Sequence, residues 1–425
     1  MLGLLSRCAR AYGDVVALRL GMNRAVLLNH PDQIEQVLLS RQQDFIKYRF
    51  FWRHVKRVFG DGLLTSSGER WRRQHALIAP AFRPDRLAAA VDEIVDCVED
   101  RIVCWREGEA LDVRAEMTRM TLRIIGRVLF GLDLERDAPA VSNAVDRGTT
   151  EVSRRFKRGY YLPDWIPTPG NRRYLAAVRD FDAVAATILA RRETGARQHD
   201  DLLSMLLQSR DPAGAPIDQR LLRDEIVTLL LAGHETTALA LTWTLYLLAR
   251  HPEPAARVEQ EVDAVLGRDA RPRAAHLEAL QYTGWAVSEA MRLYPPVHIL
   301  GRECVRDIEI GGHALPSGTI CLVSQWVVHR DPRFYRDPEL FRPERWAAGG
   351  DLPRPRFAYF PFGGGPRVCI GQRLAIIEAV LVLATICHRL RLRAPAGAPT
   401  VEPCPSVTLR PASPVRLIVS RRRRG

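Results

Sequence analysis

The chain predicts a mainly α-helical protein with minor β-sheets, and three observations carry that prediction. Apolar residues recur at three- and four-residue intervals from residue 71 to about 207, the period of a helix that buries one face. The runs 227–249 and 374–386 are apolar almost all round, as expected of helices deep in a core. Alternating, strand-like patterns are short and lie near the two ends and at 302–325.

In chain order, Val15-Val16-Ala17-Leu18-Arg19-Leu20 and Ala25-Val26-Leu27-Leu28 read as strands, and a helix follows Asn29-His30-Pro31. The long apolar run predicts a helix of roughly 30 residues from near Asp218 to Arg250, stopped by Pro252. Helical pattern resumes at 253–266 and 284–293. Gly311-Gly312 and Pro316-Ser317-Gly318 break 302–325 into short strands and turns. A last helix follows Cys369, and 407–409 and 415–419 are strand-like. The Pro-rich stretches 162–170 and 211–216 read as loops. A length of 425 residues suits two or three domains, but no long linker or internal repeat divides the chain. A single domain over 1–425 is expected, β-rich over about 1–70 and helical over about 71–425.

The net charge is +13, and three of the 62 basic residues are lysines, the rest arginines. Such a surface suits nucleic acid, anionic membrane or an acidic protein. Few aromatics lie among the charges and no nucleic-acid motif appears, which argues against nucleic acid. The run Arg421 to Arg424 reads as a solvated tail. The eight cysteines show no paired spacing, so a reducing cytoplasm fits better than a disulfide framework. The apolar patch at 1–5 is too short for a signal peptide or a membrane span. The two long apolar runs carry His234, Glu235 and Glu378, which marks them as buried core helices with polar sites. No transmembrane anchor is expected, and the protein is expected to be cytoplasmic.

The richest stretch is Phe362-Gly363-Gly364-Gly365-Pro366-Arg367-Val368-Cys369-Ile370-Gly371. Its glycines permit a tight turn that brings backbone N–H groups close to one sulfur. A helix opening at the cysteine adds a positive dipole end, which favours thiolate. A lone cysteine without a CxxC does not suit a zinc ribbon. A plain turn with an inert buried cysteine is the alternative, but the pattern F-x-x-G-x-R-x-C-x-G is filled at all its fixed places. It closely resembles the haem-thiolate loop of the cytochrome P-450 family. The resemblance implies that Cys369 is the axial ligand of the iron of heme b (iron protoporphyrin IX), the thiolate favouring O–O cleavage. It implies the family's fold, with haem between the long central helix and the cysteine-loop helix, and it names Phe362, Arg367 and Gly371 as cofactor contacts.

Within the long helix lies Ala232-Gly233-His234-Glu235-Thr236-Thr237. A mid-helix glycine costs up to about 1 kcal/mol relative to alanine, and consecutive threonines can open the i→i−4 ladder by bonding carbonyls or water. Read alone, the segment is better taken as a buried helix with a few satisfied polar groups. Beside the cysteine loop it resembles the family's oxygen-activation segment. Gly233 is then the dioxygen groove, and Glu235 and Thr236 the acid–alcohol pair that delivers protons. His234 reads as packing or pocket wall.

Glu289 and Arg292 share a helix face at i, i+3. The chain has several such pairs, but Leu293-Tyr294-Pro295-Pro296 singles this one out. It resembles the family's structural Glu–Arg pair, with Arg345 of Phe341-Arg342-Pro343-Glu344-Arg345-Trp346 as third member. Trp71-Arg72-Arg73-Gln74-His75 resembles the family's W-x-x-x-R segment with histidine in the last place, which makes Trp71 and His75 propionate partners alongside Arg302 and Arg367. Arg72 and Arg73 are expected to face solvent or a redox partner, and Phe50, Phe51, residues 297–300 and Val407 to wall the substrate pocket.

The resemblance implies a soluble, bacterial-type haem-thiolate monooxygenase that inserts one atom of O2 into an apolar small molecule: a lipid, a terpenoid or another secondary metabolite. No flavin or iron–sulfur segment is present, so electrons would come from a ferredoxin or flavodoxin with an NAD(P)H-dependent reductase. The region of Arg367 and Arg373 would dock it. Two alternatives stand beside this: a peroxide-driven fatty-acid hydroxylase or decarboxylase of the same fold, which tends to lack the acid–alcohol pair, and a non-enzymatic haem sensor or carrier.

Overall fold

The structure, a computed structural model, describes residues 1–422 except 159–161, 195–200, 211–216 and 268–269. The loop expected at 211–216 and Arg423 and Arg424 of the C-terminal run therefore lie outside the described residues; the expected solvated tail is corrected at its start, because Arg421 ends the strand Arg416–Arg421 and Arg422, largely buried, pairs with Asp263 at 2.6 Å. Helix accounts for 59% of the chain and the sheets are small, as the periodicity predicts.

The N-terminal part starts with a helix that the sequence pattern does not announce, Leu2–Tyr12, which buries Leu2 and Leu5. A five-stranded sheet follows, in the order Val15–Leu20, Asn23–Leu28, Ile320–Val323, Leu300–Cys304, Phe45–Lys47. Two of its strands come from beyond residue 299, so the β-rich start is not self-contained. One pairing matters for the site: Lys47 lies opposite Arg302 in an antiparallel pair.

The helical body runs from Arg49–Phe59 and Gly68–Ile78 through Pro84–Ile102, Val113–Phe130, Ala138–Arg158 and Pro169–Thr194 to Leu202–Gln208. The predicted long helix is present as Gln219–Leu230 and Thr236–Arg250, joined by a π-helical turn, Leu231–Glu235. It is long and apolar enough to cross a membrane by length and composition, and 83% of that window is buried against the rest of the protein. Pro252–Leu266, Gln281–Leu293 and Gln372–Arg389 pack around it. The main core gathers residues from all these helices, including Phe59, Phe130, Phe181 and Trp243.

Two boundaries differ from expectation. The last helix opens at Gln372, with Gly371 as cap, not at Cys369, because Gly365–Arg367 first makes a 3-10 turn. Residues 407–409 are not one strand: Pro403–Pro405 and Leu409–Pro411 pair as a hairpin whose turn contains Val407. Ser406 N–H donates to the Thr408 carbonyl at 3.0 Å, closing that turn.

The loop 60–66 is strapped to the long helix. Asp61 N–H donates to Asp224 at 2.7 Å and Leu63 N–H to Glu225 at 2.9 Å. A Cβ on Gly60 would lie 2.0 Å from Asp224 Oδ1, and Gly60 has φ +87°, so only glycine fits this approach. Burial pushes the Glu225 carboxyl up to about 7, with Asp224 and Asp61 adding to the rise and the Leu63 N–H and Arg70 opposing it. The folded protein therefore holds this proton more tightly than the unfolded chain, so the stabilisation is full below the usual 4.5 and is lost as pH rises through about 7. Glu225→Gln keeps an acceptor for Leu63 and removes the charge. Melting temperature measured from pH 5 to 8 should fall less steeply for the variant than for wild type; parallel curves would contradict this account.

Candidate active site

The cysteine loop is shaped by its glycines. Gly363 and Gly365 take φ of +75° and +66°, and a Cβ on Gly365 would sit 1.8 Å from the Leu38 carbonyl oxygen. Gly363 N–H donates to Phe360 O at 2.9 Å, and Cys369 N–H returns to Phe362 O at 3.0 Å. Phe362 packs half-buried against the main core. Cys369 keeps exposed surface, although neighbouring protein excludes much of the water around its sulfur. Burial pushes its thiol up, and the Gly371 N–H on the sulfur only partly opposes this. The helix expected to open at the cysteine begins three residues later, at Gln372. A cation bound at the sulfur would supply the missing stabilisation.

In the long helix, the π turn rearranges the backbone where Ala232 is exposed and Gly233 and Thr236 are half-buried, in a helix otherwise largely buried. Thr236 Oγ1 donates to Ala232 O at 2.6 Å and Thr237 Oγ1 to Gly233 O at 3.0 Å, so the threonines bond carbonyls as their position suggests. Thr121 from the neighbouring helix donates to His234 O at 3.0 Å. A Cβ on Gly233 would meet Ile125 Cδ1 at 3.0 Å; close helix packing is thus one physical reason for this glycine. His234 is buried, and burial lowers its pKa. Glu235 and Thr236 are adjacent in the turn but share no hydrogen bond: Glu235 Oε1 accepts from Thr408 Oγ1 at 3.0 Å and from Arg410 Nε at 2.8 Å, while Oε2 is buried without a partner.

Three cations gather near the loop. Arg367 donates to Ser66 O and lies 4.4 Å over the Trp71 ring, which stands 5.2 Å from His75. Lys47 donates to Leu64 O and to Ser66 O, the latter at 3.2 Å. Burial lowers Arg302 to about 10; burial and Arg302 together lower Arg367 to about 10; burial, then Arg367 and Arg302, lower Lys47 to about 6. Like charges directly opposite in a sheet destabilise it, yet Lys47 and Arg302 are paired so. Asp61 partly offsets Lys47 but is already bonded to Lys56 at 2.8 Å and Arg70 at 3.2 Å. Among the described residues none of the three cations makes an ion pair, and Arg367 Nη1 is buried without a partner. Arg302 donates only to its neighbour Gly301 O at 3.1 Å. Three cations without a carboxylate fit a dianionic edge such as a pair of propionates, and with Cys369 they fit haem. Lys47 escaped sequence reading, since only the strand pairing places it opposite Arg302. Arg72 and Arg73 are exposed and bond Glu69, as expected.

The Glu289 cluster is wholly buried. Glu289 accepts from Arg292 Nη2 at 2.8 Å and Nε at 2.9 Å, from Arg345 Nε at 2.9 Å, and from Arg342 N–H at 3.0 Å. Trp346 Nε1 adds a bond at 3.1 Å, and Arg345 also pairs with Asp351. Burial raises the Glu289 carboxyl, but Arg292 and Arg345 outweigh it and the net shift is downward. Trp346 and Asp351 were not foreseen. The expected pocket walls are not all brought together. Phe50 and Phe51 cluster with Phe156 at 6.3 and 5.3 Å, Val407 and Phe51 pack against the main core, and Leu300 and Ile299 against two others.

The comparisons agree with this geometry. The family model described as Cytochrome P-450 matches residues 1–419. The chain is 37% identical over 402 residues to cyclooctat-9-en-7-ol 5-monooxygenase of Streptomyces melanosporofaciens, covering 91% of this chain and 84% of that protein. It is 35% identical to cyclooctatin synthase of the same organism (96% and 89% covered) and 33% identical to pentalenene oxygenase of Streptomyces avermitilis (92% and 86% covered). A glycine-shaped cysteine loop, a polar π turn within the long helix and a match over almost the whole length place this chain in the cytochrome P-450 family of haem-iron monooxygenases.

Proposed function

We propose that the protein hydroxylates or epoxidises a terpenoid, using heme b held by Cys369 and electrons from a ferredoxin or flavodoxin with its NAD(P)H-dependent reductase, in the cytoplasm. The observation that carries the substrate class is the similarity, over nine-tenths of the chain, to monooxygenases named for cyclooctat-9-en-7-ol and pentalenene. Half-buried apolar side chains at Phe50, Phe51, Val297, Ile299, Leu300 and Val407 suit such a molecule.

Haem supplies the oxidising chemistry that puts one oxygen atom into the substrate. Cys369 Sγ would hold the iron. Lys47, Arg302 and Arg367 would hold the propionates, with Trp71 and His75 alongside and Phe362 and Gly371 lining the thiolate side. Glu235 and Thr236 would move the protons that O2 reduction consumes, in the stretch that Gly233 opens. Glu289, Arg292 and Arg345 fix the meander that leads to the cysteine loop.

The test is a panel of terpenes, steroids and fatty acids that includes cyclooctat-9-en-7-ol and pentalenene, scored by spin-state shift and by product with NADPH and a surrogate ferredoxin system. Terpenoids should give the largest shifts and oxygenated product. Fatty acids turned over with peroxide alone, and no terpenoid product, would contradict the proposal.

Two residue tests follow from the same reading. In Thr236→Ala, haem loading and the spin-state shift should persist, because neither needs the hydroxyl. Product per NADPH should drop by about a hundredfold, the low side of what a lost acid–base group costs, with hydrogen peroxide making up the balance. A wild-type ratio would make Thr236 a structural helix residue. Lys47→Gln should release haem to apomyoglobin about tenfold faster, since a hydrogen bond to a charged group contributes about 1.5–3 kcal/mol. An unchanged release rate would remove Lys47 from the cofactor site.

A further inference from the structure

We infer that Arg410 is a positioning residue for proton delivery: it sets the carboxylate of Glu235 in place and links it to solvent through Asp146. The inference rests on the role of Glu235 proposed above.

Arg410 lies on the hairpin strand Leu409–Pro411, remote in sequence from every motif that identifies the family. Its guanidinium bridges two carboxylates of opposite character. Toward the interior, Nε and Nη2 both bond Glu235 Oε1, whose side chain is 9% exposed. Toward the surface, Nη1 bonds Asp146 Oδ1 at 2.6 Å, and Asp146 is 47% exposed. Nη2 also donates to Thr149 Oγ1 at 3.1 Å, and Arg114 Nη2 donates to the same Asp146 Oδ1 at 3.1 Å. Asp146 lines a surface depression with Asp112, Arg114, Asn143 and Pro411.

The bonds are uneven across Glu235. Arg410 and Thr408 bond Oε1 alone, and Oε2 is buried with no partner. A buried acceptor left open is costly unless something uses it. By occupying Oε1, Arg410 makes Oε2 the oxygen that exchanges protons. The hairpin holds Arg410 at fixed height: Leu409 N–H donates to Pro296 O at 2.9 Å and Trp243 Nε1 donates to Leu409 O at 3.1 Å. Each proton that leaves Oε2 must be replaced, and the carboxylate–guanidinium–carboxylate bridge leads to the one of these groups that water reaches, Asp146.

The test compares holoenzymes carrying Arg410→Gln, Glu235→Gln, both changes together, and Asp146→Asn. Product per NADPH and the effect of D2O on turnover are measured with the best terpenoid of the panel, after the reduced CO spectrum has shown intact haem ligation. Arg410→Gln should lower product per NADPH by about tenfold, less than the roughly 10²–10⁴-fold that loss of an acid–base group itself costs, and enlarge the D2O effect, while the spin-state shift stays. The double variant should be no worse than Glu235→Gln, because the arginine acts through that acid. Asp146→Asn should shift both readouts the same way by less. If Arg410→Gln is coupled like wild type while Glu235→Gln is not, or if the two losses multiply in the double variant, the inference is overturned and the role of Glu235 stands. If Glu235→Gln itself is fully coupled, the underlying reading fails and the inference with it. Should Arg410→Gln not fold, Asp146→Asn decides: unchanged coupling and D2O effect overturn the link to solvent.

Discussion

Arg292→Ala should yield little folded, haem-loaded protein. Arg292 gives Glu289 two of its bonds and also donates to the carbonyls of His329 at 2.7 Å, Pro338 at 2.6 Å and Leu340 at 3.1 Å. Its side chain and that of Glu289 are fully buried, so water cannot replace it. Breaking a buried ion pair by removing one partner costs about 3–5 kcal/mol, a large part of the roughly 5–15 kcal/mol that holds a typical domain together. Arg345 cannot take over, because its guanidinium already serves Asp351 and the carbonyls of Arg336 and Asp337. Arg292→Lys should recover only part of the loss, since an ammonium cannot reproduce the bidentate fork. Haem content per protein and melting temperature are the readouts. Stable holoprotein from Arg292→Ala at wild-type yield would refute the structural role.

Cys369→His should abolish NADPH-driven oxygenation and move the reduced CO band away from the long-wavelength Soret position typical of thiolate ligation. The loop geometry leaves no neighbour to replace the sulfur. The other cysteines are at 8, 97, 104, 304, 321, 387 and 404, and Cys304 and Cys321 face each other in the sheet, 3.8 Å apart. Imidazole lacks the electron push of thiolate, so the variant should bind haem and CO yet form no product. A band at the wild-type position would exclude Cys369 as the ligand.

The helices and the cysteine loop were legible because their signals are local. Periodicity announces the long helix, and a dense run of fixed positions announces Cys369. The π turn at Leu231–Glu235 was legible only as a suspicion, from a glycine and two threonines that compete for backbone bonds. What escaped was non-local. Lys47 looks like any lysine until Phe45–Lys47 pairs with Leu300–Cys304. Asp351 and Trp346 join Glu289 through irregular backbone that has no period. Arg410 reaches Glu235 across 175 positions, a distance that one sequence with 61 other lysines and arginines cannot resolve. The N-terminal helix Leu2–Tyr12 was missed because only Leu2 and Leu5 are fully buried along it, too few to set a period.

The most direct test of the account is turnover of the best terpenoid under isotopically labelled dioxygen in ordinary water, with NADPH and a surrogate ferredoxin system. The account predicts product that carries a single labelled oxygen atom, with the label absent when only the water is labelled. Product whose oxygen comes from water, or oxygenation that proceeds with peroxide but never with NADPH and O2, would contradict it.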